Sequence, residues 1–172
     1  MAKLLTDETY AVKGRLVGVD NSALVGPLIT LRVPPNTFDL QRPASYMDFV
    51  LLDTNRKTLQ KRIGVGDELQ VIIHAATSKV ESGTRNEMTF ALQPRGQCQK
   101  ISHCRRVFEG VSPINGRVAD NDGHHVLAVD AGVPLVLSLL EHKPSQTQQI
   151  KVNSWITFWP APPTHGIILG KA

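Results

Sequence analysis

The sequence predicts an all-β protein built from two tandem small Greek-key barrels, and two observations lead to this prediction. A glycine-containing turn followed by an apolar strand occurs at 63–76, with the sequence IGVGDELQVIIHAA. A similar segment, IKVNSWITFW, occurs at 150–159, with VNS in the place of VGD. A turn and a buried strand that are used twice within 172 residues indicate two small domains.

Short apolar strands separated by turn residues follow one another in the first half of the chain. Gly14 and Gly18 interrupt the first strand, which is typical of a bulge or a barrel corner. Between the third and fourth strands, DTNRKTLQKR predicts one short helix near 54–63, with a polar residue at its start as a cap. The five predicted strands are 10–19, 24–33, 46–52, 69–75 and 88–92.

This order of elements resembles the OB-fold, a five-stranded Greek-key barrel with a helix between its third and fourth strands. The resemblance covers roughly residues 10–92 and rests on the element order and on the Gly-Asp turn before the fourth strand. SH3-like and other small β-barrels give similar sequence patterns, so those folds stay open as alternatives.

After a polar, basic connector, the same pattern starts again in the second half. The segment INGRVADN repeats the Gly-Arg pair of the first strand, and Asp122-Gly123 is a favoured hairpin turn. A polar loop at 142–149 takes the place of the short helix. We therefore predict an internal duplication with a first OB-like barrel at 1–92, a connector at 93–110 and a second, smaller barrel-like domain at 111–172.

Charge and hydropathy narrow the class of protein. All of the net charge of +4 belongs to residues 1–110, which hold 15 Lys or Arg and 11 Asp or Glu. A basic surface attracts nucleic acid or anionic lipid, although a merely solvated surface would have the same composition. No apolar stretch is long enough to cross a bilayer, and the first residues lack the apolar region of a signal peptide. We expect a cytoplasmic protein that does not associate with membranes.

No pattern of reactive residues indicates an enzyme or a cofactor. The chain lacks nucleophile-elbow, phosphate-loop and metalloprotease motifs. Cys98, His103 and Cys104 are too few and too widely spaced for structural zinc, so we predict two unbonded thiols and no metal. The segment from Asp120 to His125 lacks the glycine and glutamate of a calcium loop and fits a hairpin turn instead.

The basic residues are the best remaining signal, and they predict a binding module for single-stranded DNA or RNA. The OB-fold holds single strands on the face of its second and third strands and in its connecting loops. The resemblance places Lys79 and Arg85 in the loop after the fourth strand, and Arg32, Tyr46 and Phe49 on or near that face. The full predicted site is Arg32, Tyr46, Phe49, Arg56, Lys57, Lys61, Arg62, Lys79 and Arg85.

An alternative function uses the two tryptophans of the second turn-and-strand segment. Strand alternation places Trp155, Thr157 and Trp159 on one face and Ile156 and Phe158 on the other. The tryptophan face either packs against the first barrel or lies exposed for a partner. In the second case the protein is an adaptor or assembly subunit, with a protein partner or a second copy of itself bound at Trp155 and Trp159.

Overall fold

The computed structural model describes residues 3–22, 24–34, 47–60, 62–83, 106–107 and 113–172. The all-β prediction is confirmed, since strands dominate these ranges and α1 (Pro144–Gln148) is the one α-helix within them. The described strands are β1 (Val12–Asp20), β2 (Leu28–Val33), β3 (Met47–Asp53), β4 (Glu68–Thr77), β5 (Val80–Ser82), β6 (Arg106–Val107), β7 (Ile114–Asn121), β8 (Val126–Asp130), β9 (Pro134–Leu139), β10 (Trp155–Phe158) and β11 (Ala161–Lys171).

Five strands form a closed barrel in the order β1-β2-β3-β11-β4, and β4 pairs back onto β1. Strand β11 lies antiparallel to β4 and parallel to the end of β3, where His165 is paired with Leu52. The sequence assigned this C-terminal strand to the second half, whereas its hydrogen bonds join it to strands of the first. The returning strand predicted at 88–92 lies outside the described residues.

The remaining strands form a second set that shares β4 with the barrel. Strands β7, β8 and β9 are antiparallel neighbours, and β10 pairs with β7 on one side and β5 on the other. Strand β9 runs parallel to the last residues of β4, from the pair His74–Val136 to the pair Thr77–Leu139. Strand pairing therefore crosses between the two predicted halves in both directions.

Alternation of apolar and polar residues sends one face of each strand inward. In β2, Ile29, Leu31 and Val33 are buried and the residues between them are partly exposed. Gly14 on β1 is required by close packing, since a Cβ there would lie 2.8 Å from the Leu31 Cγ. Gly116 on β7 has the same role, because its Cβ would lie 2.9 Å from the Asp130 carbonyl oxygen.

A second apolar cluster covers the outer faces of β4, β8, β9 and β11. Its buried members include Ile72, Val136 and Ile167, and the N-terminal 3-10 turns add Leu4 and pack Tyr10 against it. These strands are therefore apolar on both faces over part of their length, which explains the near-continuous apolar run in β4.

The two turns that drew attention in the sequence have the same backbone geometry. In each turn, the N–H of one strand residue, on β1 or β7, donates to the carbonyl oxygen of the last turn residue. The carbonyl oxygen of the same strand residue accepts the N–H of the preceding turn residue. That preceding residue, Gly66 or Asn153, has a positive φ, of 102° or 72°. The four bonds are Gly66 N–H to Leu16 O (2.8 Å), Leu16 N–H to Asp67 O (2.9 Å), Asn153 N–H to Val118 O (2.8 Å) and Val118 N–H to Ser154 O (2.9 Å).

The α-helix predicted near 54–63 is wrong, because the described part of this segment, which omits residue 61, forms a 3-10 turn at Lys57–Leu59. Arg56 stands before the turn in the left-handed region, with φ of 52°. The Asp53 carboxylate accepts the N–H of Lys57 at 3.1 Å and of Thr58 at 2.7 Å. Leu59 is 53% exposed, so no buried apolar stripe extends the turn into a helix.

The polar loop predicted at 142–149 is also wrong, because it contains α1. Pro144 stands at the first helical position, where its missing N–H costs nothing. The Gln146 Oε1 accepts the Lys143 N–H at 2.8 Å and closes the first turn. The segment is polar and rich in glutamine, and its five-residue helix lacks the apolar stripe by which a helix is recognised in a sequence.

Candidate functional site

The predicted basic residues that the structure describes do not form a single surface. Arg56 and Arg62 are exposed and Lys57 is partly exposed in the connection between β3 and β4. Lys79 lies beyond the other end of β4, a strand of 10 residues. Strand β4, which lies between Arg62 and Lys79 in the chain, is about 30 Å long at about 3.3 Å per residue. Asn55, next to Arg56, contacts Ile168 opposite Val71 of β4. Lys61, Arg85 and Tyr46 lie outside the described residues.

The outer face of β2 and β3 does not offer the side chains that the sequence suggested. Phe49 is fully buried, so the interpretation of Phe49 as a contact for nucleic acid is corrected to a core residue. The Arg32 guanidinium makes two bonds to the Asp48 carboxylate, at 2.9 and 3.1 Å. Asp48 is itself fully buried, so Arg32 serves to neutralise it.

The tryptophan face has the alternation that the sequence predicts. Ile156 and Phe158 are buried at 4% and 0% exposure, while Trp155 and Trp159 are partly exposed. Strand β5 covers one edge of β10, with Thr157 opposite Glu81. Neighbouring side chains from two distant parts of the chain therefore share the tryptophan face, which we define as Trp155, Thr157, Trp159, Lys79 and Glu81.

Lys79 and Trp159 form the closest charged contact of this face. The Lys79 Nζ lies 4.3 Å from the centroid of the Trp159 ring, within cation–π range. The same ammonium lies 3.5 Å from the Glu81 Oε1. Buried Thr77 fixes the pair, because its hydroxyl donates to the Trp159 carbonyl at 2.7 Å and accepts the Lys79 N–H at 3.1 Å. Lys79 of the predicted nucleic-acid site and Trp159 of the predicted protein interface are therefore in direct contact.

An open cleft of about 480 Å³ adjoins the tryptophan face, between α1, β5 and β10. Trp155 lines it together with Lys151 and with the amide side chains of Gln146 and Gln149. This volume falls within the range of small-molecule sites. The lining combines one aromatic surface with hydrogen-bonding groups, apolar side chains, one cation and the Glu81 carboxylate, so it suits a planar group with both polar and apolar edges.

No protein family, curated protein or solved structure matches this chain. Within the described ranges, no helix has the length and hydropathy needed to span a membrane. The same ranges bring no three His, Cys, Asp or Glu side chains together as metal ligands. Cys98, His103 and Cys104 lie outside them, so the predictions of free thiols and no zinc remain predictions.

The hairpin interpretation of Asp122-Gly123 is confirmed. The Asp122 Oδ1 accepts the N–H groups of His124, His125 and Val126 at 2.8, 3.0 and 3.0 Å. Gly123 has a φ of 74°, as the turn requires. The carboxylate therefore organises its own turn rather than a ligand site.

Sequence reasoning found the tryptophan face but missed its lysine and its cleft. The alternation of β10 is a local signal and can be read from five consecutive residues. The pairing of β10 with β5 joins Phe158 to Val80, and no local pattern indicates that long-range contact. One wall of the cleft is formed by α1, and the polar sequence at 142–149 did not predict this helix.

Proposed function

We propose that the protein binds single-stranded nucleic acid, without catalysis, on the tryptophan face. The observation that carries this proposal is the Lys79–Trp159 contact beside Trp155 and its open cleft. Bases stack on Trp155 and Trp159, and phosphates lie near Lys79 and Lys151. This proposal moves the nucleic-acid site from the first half, where the sequence predicted it, to the tryptophan face at β10 and β5.

The chemistry of the face suits single strands. Stacking of a base on an aromatic side chain contributes about 1–3 kcal/mol and tolerates any base, since every base has a π-face. Trp155 and Trp159 are four residues apart, which is about 13 Å along a strand, so each ring meets a different nucleotide. A lysine above or beside such a ring adds attraction for the phosphate that follows the base.

The excess of positive charge lies mostly in one stretch of the sequence. Residues 84–110 hold five Lys or Arg and two Glu, which accounts for +3 of the net charge of +4. The chain enters this stretch from Gly83, whose N–H donates to the Trp155 carbonyl at 2.9 Å. In the described part of the stretch, Arg106 is paired with Asp48 of β3, so the proposed face depends on Lys79 and Lys151 for its positive charge.

Strand topology supports a pair of OB-like barrels as the scaffold. The order β1-β2-β3-β11-β4, with β11 parallel to β3, suits a five-stranded Greek-key barrel. In the second half, β7, β8, β9 and β10 correspond to strands one to four of an OB-fold, and the end of β4 together with β5 corresponds to strand five. Each barrel would then receive its fifth strand from the other half. The fold by itself does not establish binding, so the proposal depends on the tryptophan face.

Intrinsic fluorescence tests this function directly, because Trp155 and Trp159 are the two tryptophans of the chain. Titration with an oligothymidylate at low salt should quench their emission. The Trp155→Phe and Trp159→Phe variants, which each retain one reporter, should show which ring is covered. Each phosphate contact contributes about −0.7 to the slope of log affinity against log salt concentration, so two lysine contacts predict a slope of about −1.4 or steeper.

A matched control lies at the other end of β4. The double variant Arg56→Ala/Arg62→Ala removes two exposed charges from the connection between β3 and β4, where the sequence had placed the site. It should bind nearly as tightly as the wild type, while Lys79→Ala should bind more weakly. The opposite ranking, or unchanged emission at saturating oligonucleotide, would reject the proposed face.

A protein adaptor is the second candidate function, and a different observation favours it. Leu24 and Val25, in the connection between β1 and β2, are 105% and 58% exposed. Neighbouring large apolar side chains in water are typical of protein contacts. Leu24→Ser/Val25→Ser should lower the apparent mass in light scattering if copies of the chain associate there, and it should not change oligonucleotide binding.

A further inference from the structure

Four polar side chains form a row across four adjacent strands where the two halves join. His165 on β11 is paired directly with His74 on β4, and their ring centroids lie 5.8 Å apart. Thr54, just after β3, places its Oγ1 2.7 Å from the His165 Nδ1. Ser138 on β9 places its Oγ 2.6 Å from the His74 Nε2. Each ring is thus held from outside by a hydroxyl and faces the other ring.

The surroundings of the pair favour neutral imidazoles. Burial, with a smaller contribution from His165, lowers the pKa of His74 to about 4. Burial also lowers the pKa of His165. Both rings adjoin the second apolar cluster, where Ile72 and Ile167 are paired on the same two strands.

Among the described residues, no carboxylate near the pair is directed at either ring, and Glu8 on the second N-terminal turn is exposed. On β3, Asp53 directs its oxygens to the N–H groups of Lys57 and Thr58. On the N-terminal turns, Asp7 caps Thr9, and Tyr10 donates to Asp120 of β7. Strand β9 carries no charged residue, and within the described ranges the charge that lowers the pKa of His74 is that of His165. Protonation of both rings would therefore place two like charges together without compensation.

We propose that the His74–His165 pair is a proton-operated switch that controls the tryptophan face. With both rings neutral, β4 and β11 stay paired across the junction. With both rings protonated, charge repulsion separates the two strands at this position. The control of binding rests on the proposed function, whereas the opening of the junction does not.

A short covalent path connects the switch with the binding face. Thr77, which holds Trp159 and Lys79 by hydrogen bonds, lies three residues after His74 on β4. Ala76, between them, is paired with Ala161 at the start of β11, two residues after Trp159. Separation of β4 from β11 near the histidines therefore withdraws Thr77 from the Trp159 carbonyl and frees the backbone that positions the Trp159 ring.

Two measurements on the full chain test the switch. The His Hε1 resonances followed by NMR should show two rings that titrate below pH 6.5, with that of His74 near pH 4. Tryptophan emission without ligand should shift over the same pH range. The variant His74→Gln/His165→Gln should lose the emission shift, and His124→Gln, in the exposed hairpin, should keep it.

Binding distinguishes a failed switch from a failed function. The ratio of oligothymidylate affinity at pH 7.5 to that at pH 4 should be at least about tenfold higher in the wild type than in the double variant, because each unit by which the paired state lowers a ring pKa contributes a factor of ten. Binding at pH 7.5 with equal ratios would overturn the control of binding but keep the function. If the double variant does not fold, rings that titrate near pH 6.5 in the wild type, with constant emission, would overturn the switch.

Discussion

Thr77 and Trp159 are joined across 82 residues of sequence by a hydrogen bond of 2.7 Å from the threonine hydroxyl to the tryptophan carbonyl. Thr77 is fully buried at the end of β4, and Trp159 follows β10. This bond attaches the tryptophan face to the strand that both halves of the molecule share. It explains why a buried polar residue lies at the end of this strand.

Replacement of Thr77 by Val should therefore weaken both the fold and the face. The variant keeps the shape of the side chain but leaves the Trp159 carbonyl and the Lys79 N–H without their partner. The expected loss is about 1–3 kcal/mol in the free energy of unfolding, measured by urea denaturation. Thr30→Val, on the partly exposed face of β2, is the control and should cost less than about 0.5 kcal/mol. Equal losses in the two variants would contradict the assigned role of Thr77.

Glycines in β1 and β7 should not tolerate a methyl group. Gly14→Ala and Gly116→Ala each force a Cβ to within 2.9 Å of a carbonyl oxygen on the neighbouring strand. The expected cost of this overpacking is about 1–3 kcal/mol each. Gly64→Ala is the matched control, because nothing lies within 4 Å of its added Cβ. A Gly14→Ala variant as stable as Gly64→Ala would show that β1 and β2 do not pack as described.

Arg32 should matter for stability and not for binding. Arg32→Ala leaves the fully buried Asp48 without its partner, so the free energy of unfolding should fall by about 3 kcal/mol. Arg15→Ala removes an ion pair of similar length, at 3.2 Å, whose side chains are 61% and 50% exposed, and should cost less than about 1 kcal/mol. Oligonucleotide affinity under native conditions should be unchanged in both. A selective loss of affinity in Arg32→Ala would return the binding site to β2 and β3.

Stability should fall as the pH decreases from about 6.5 towards 4. The folded-state pKa of His74 lies below its ordinary value of 6.5, at about 4, so the unfolded chain binds the proton more readily. The stabilisation by neutral His74 is therefore present above pH 6.5 and is lost progressively below it. Because part of the ring meets water, we expect a loss of about 1–2 kcal/mol over this range in urea denaturation. His74→Gln should remove this component, and an unchanged pH profile in that variant would assign the effect to other groups.

Local signals in the sequence predicted those parts of the fold that depend on a few adjacent residues. The turn at Gly66 and Asp67, the hairpin at Asp122 and the two faces of β10 depend on φ angles, short side chains and alternation. Each of these features is determined within about five residues and can therefore be predicted from the local sequence.

Contacts between distant segments could not be predicted in this way. The residues of β11 indicate a strand but do not indicate that His165 lies beside Leu52 of β3. The 3-10 turn after Asp53 replaced a predicted helix because Leu59 is exposed, so no buried apolar stripe stabilises further helical turns. Lys79 and Trp159 belong to segments 80 residues apart, so their contact depends on the pairing of β5 with β10.

Photocrosslinking tests the central claim, that bases stack on the tryptophan face, most directly. An oligonucleotide that carries 5-iodouracil is bound at low salt, irradiated and digested, and the attached peptide is identified by mass spectrometry. The account predicts crosslinks to Trp155 or Trp159, and their loss in the Trp155→Phe/Trp159→Phe variant. Crosslinks confined to the connection at 54–62, or no crosslink despite measurable binding, would contradict it.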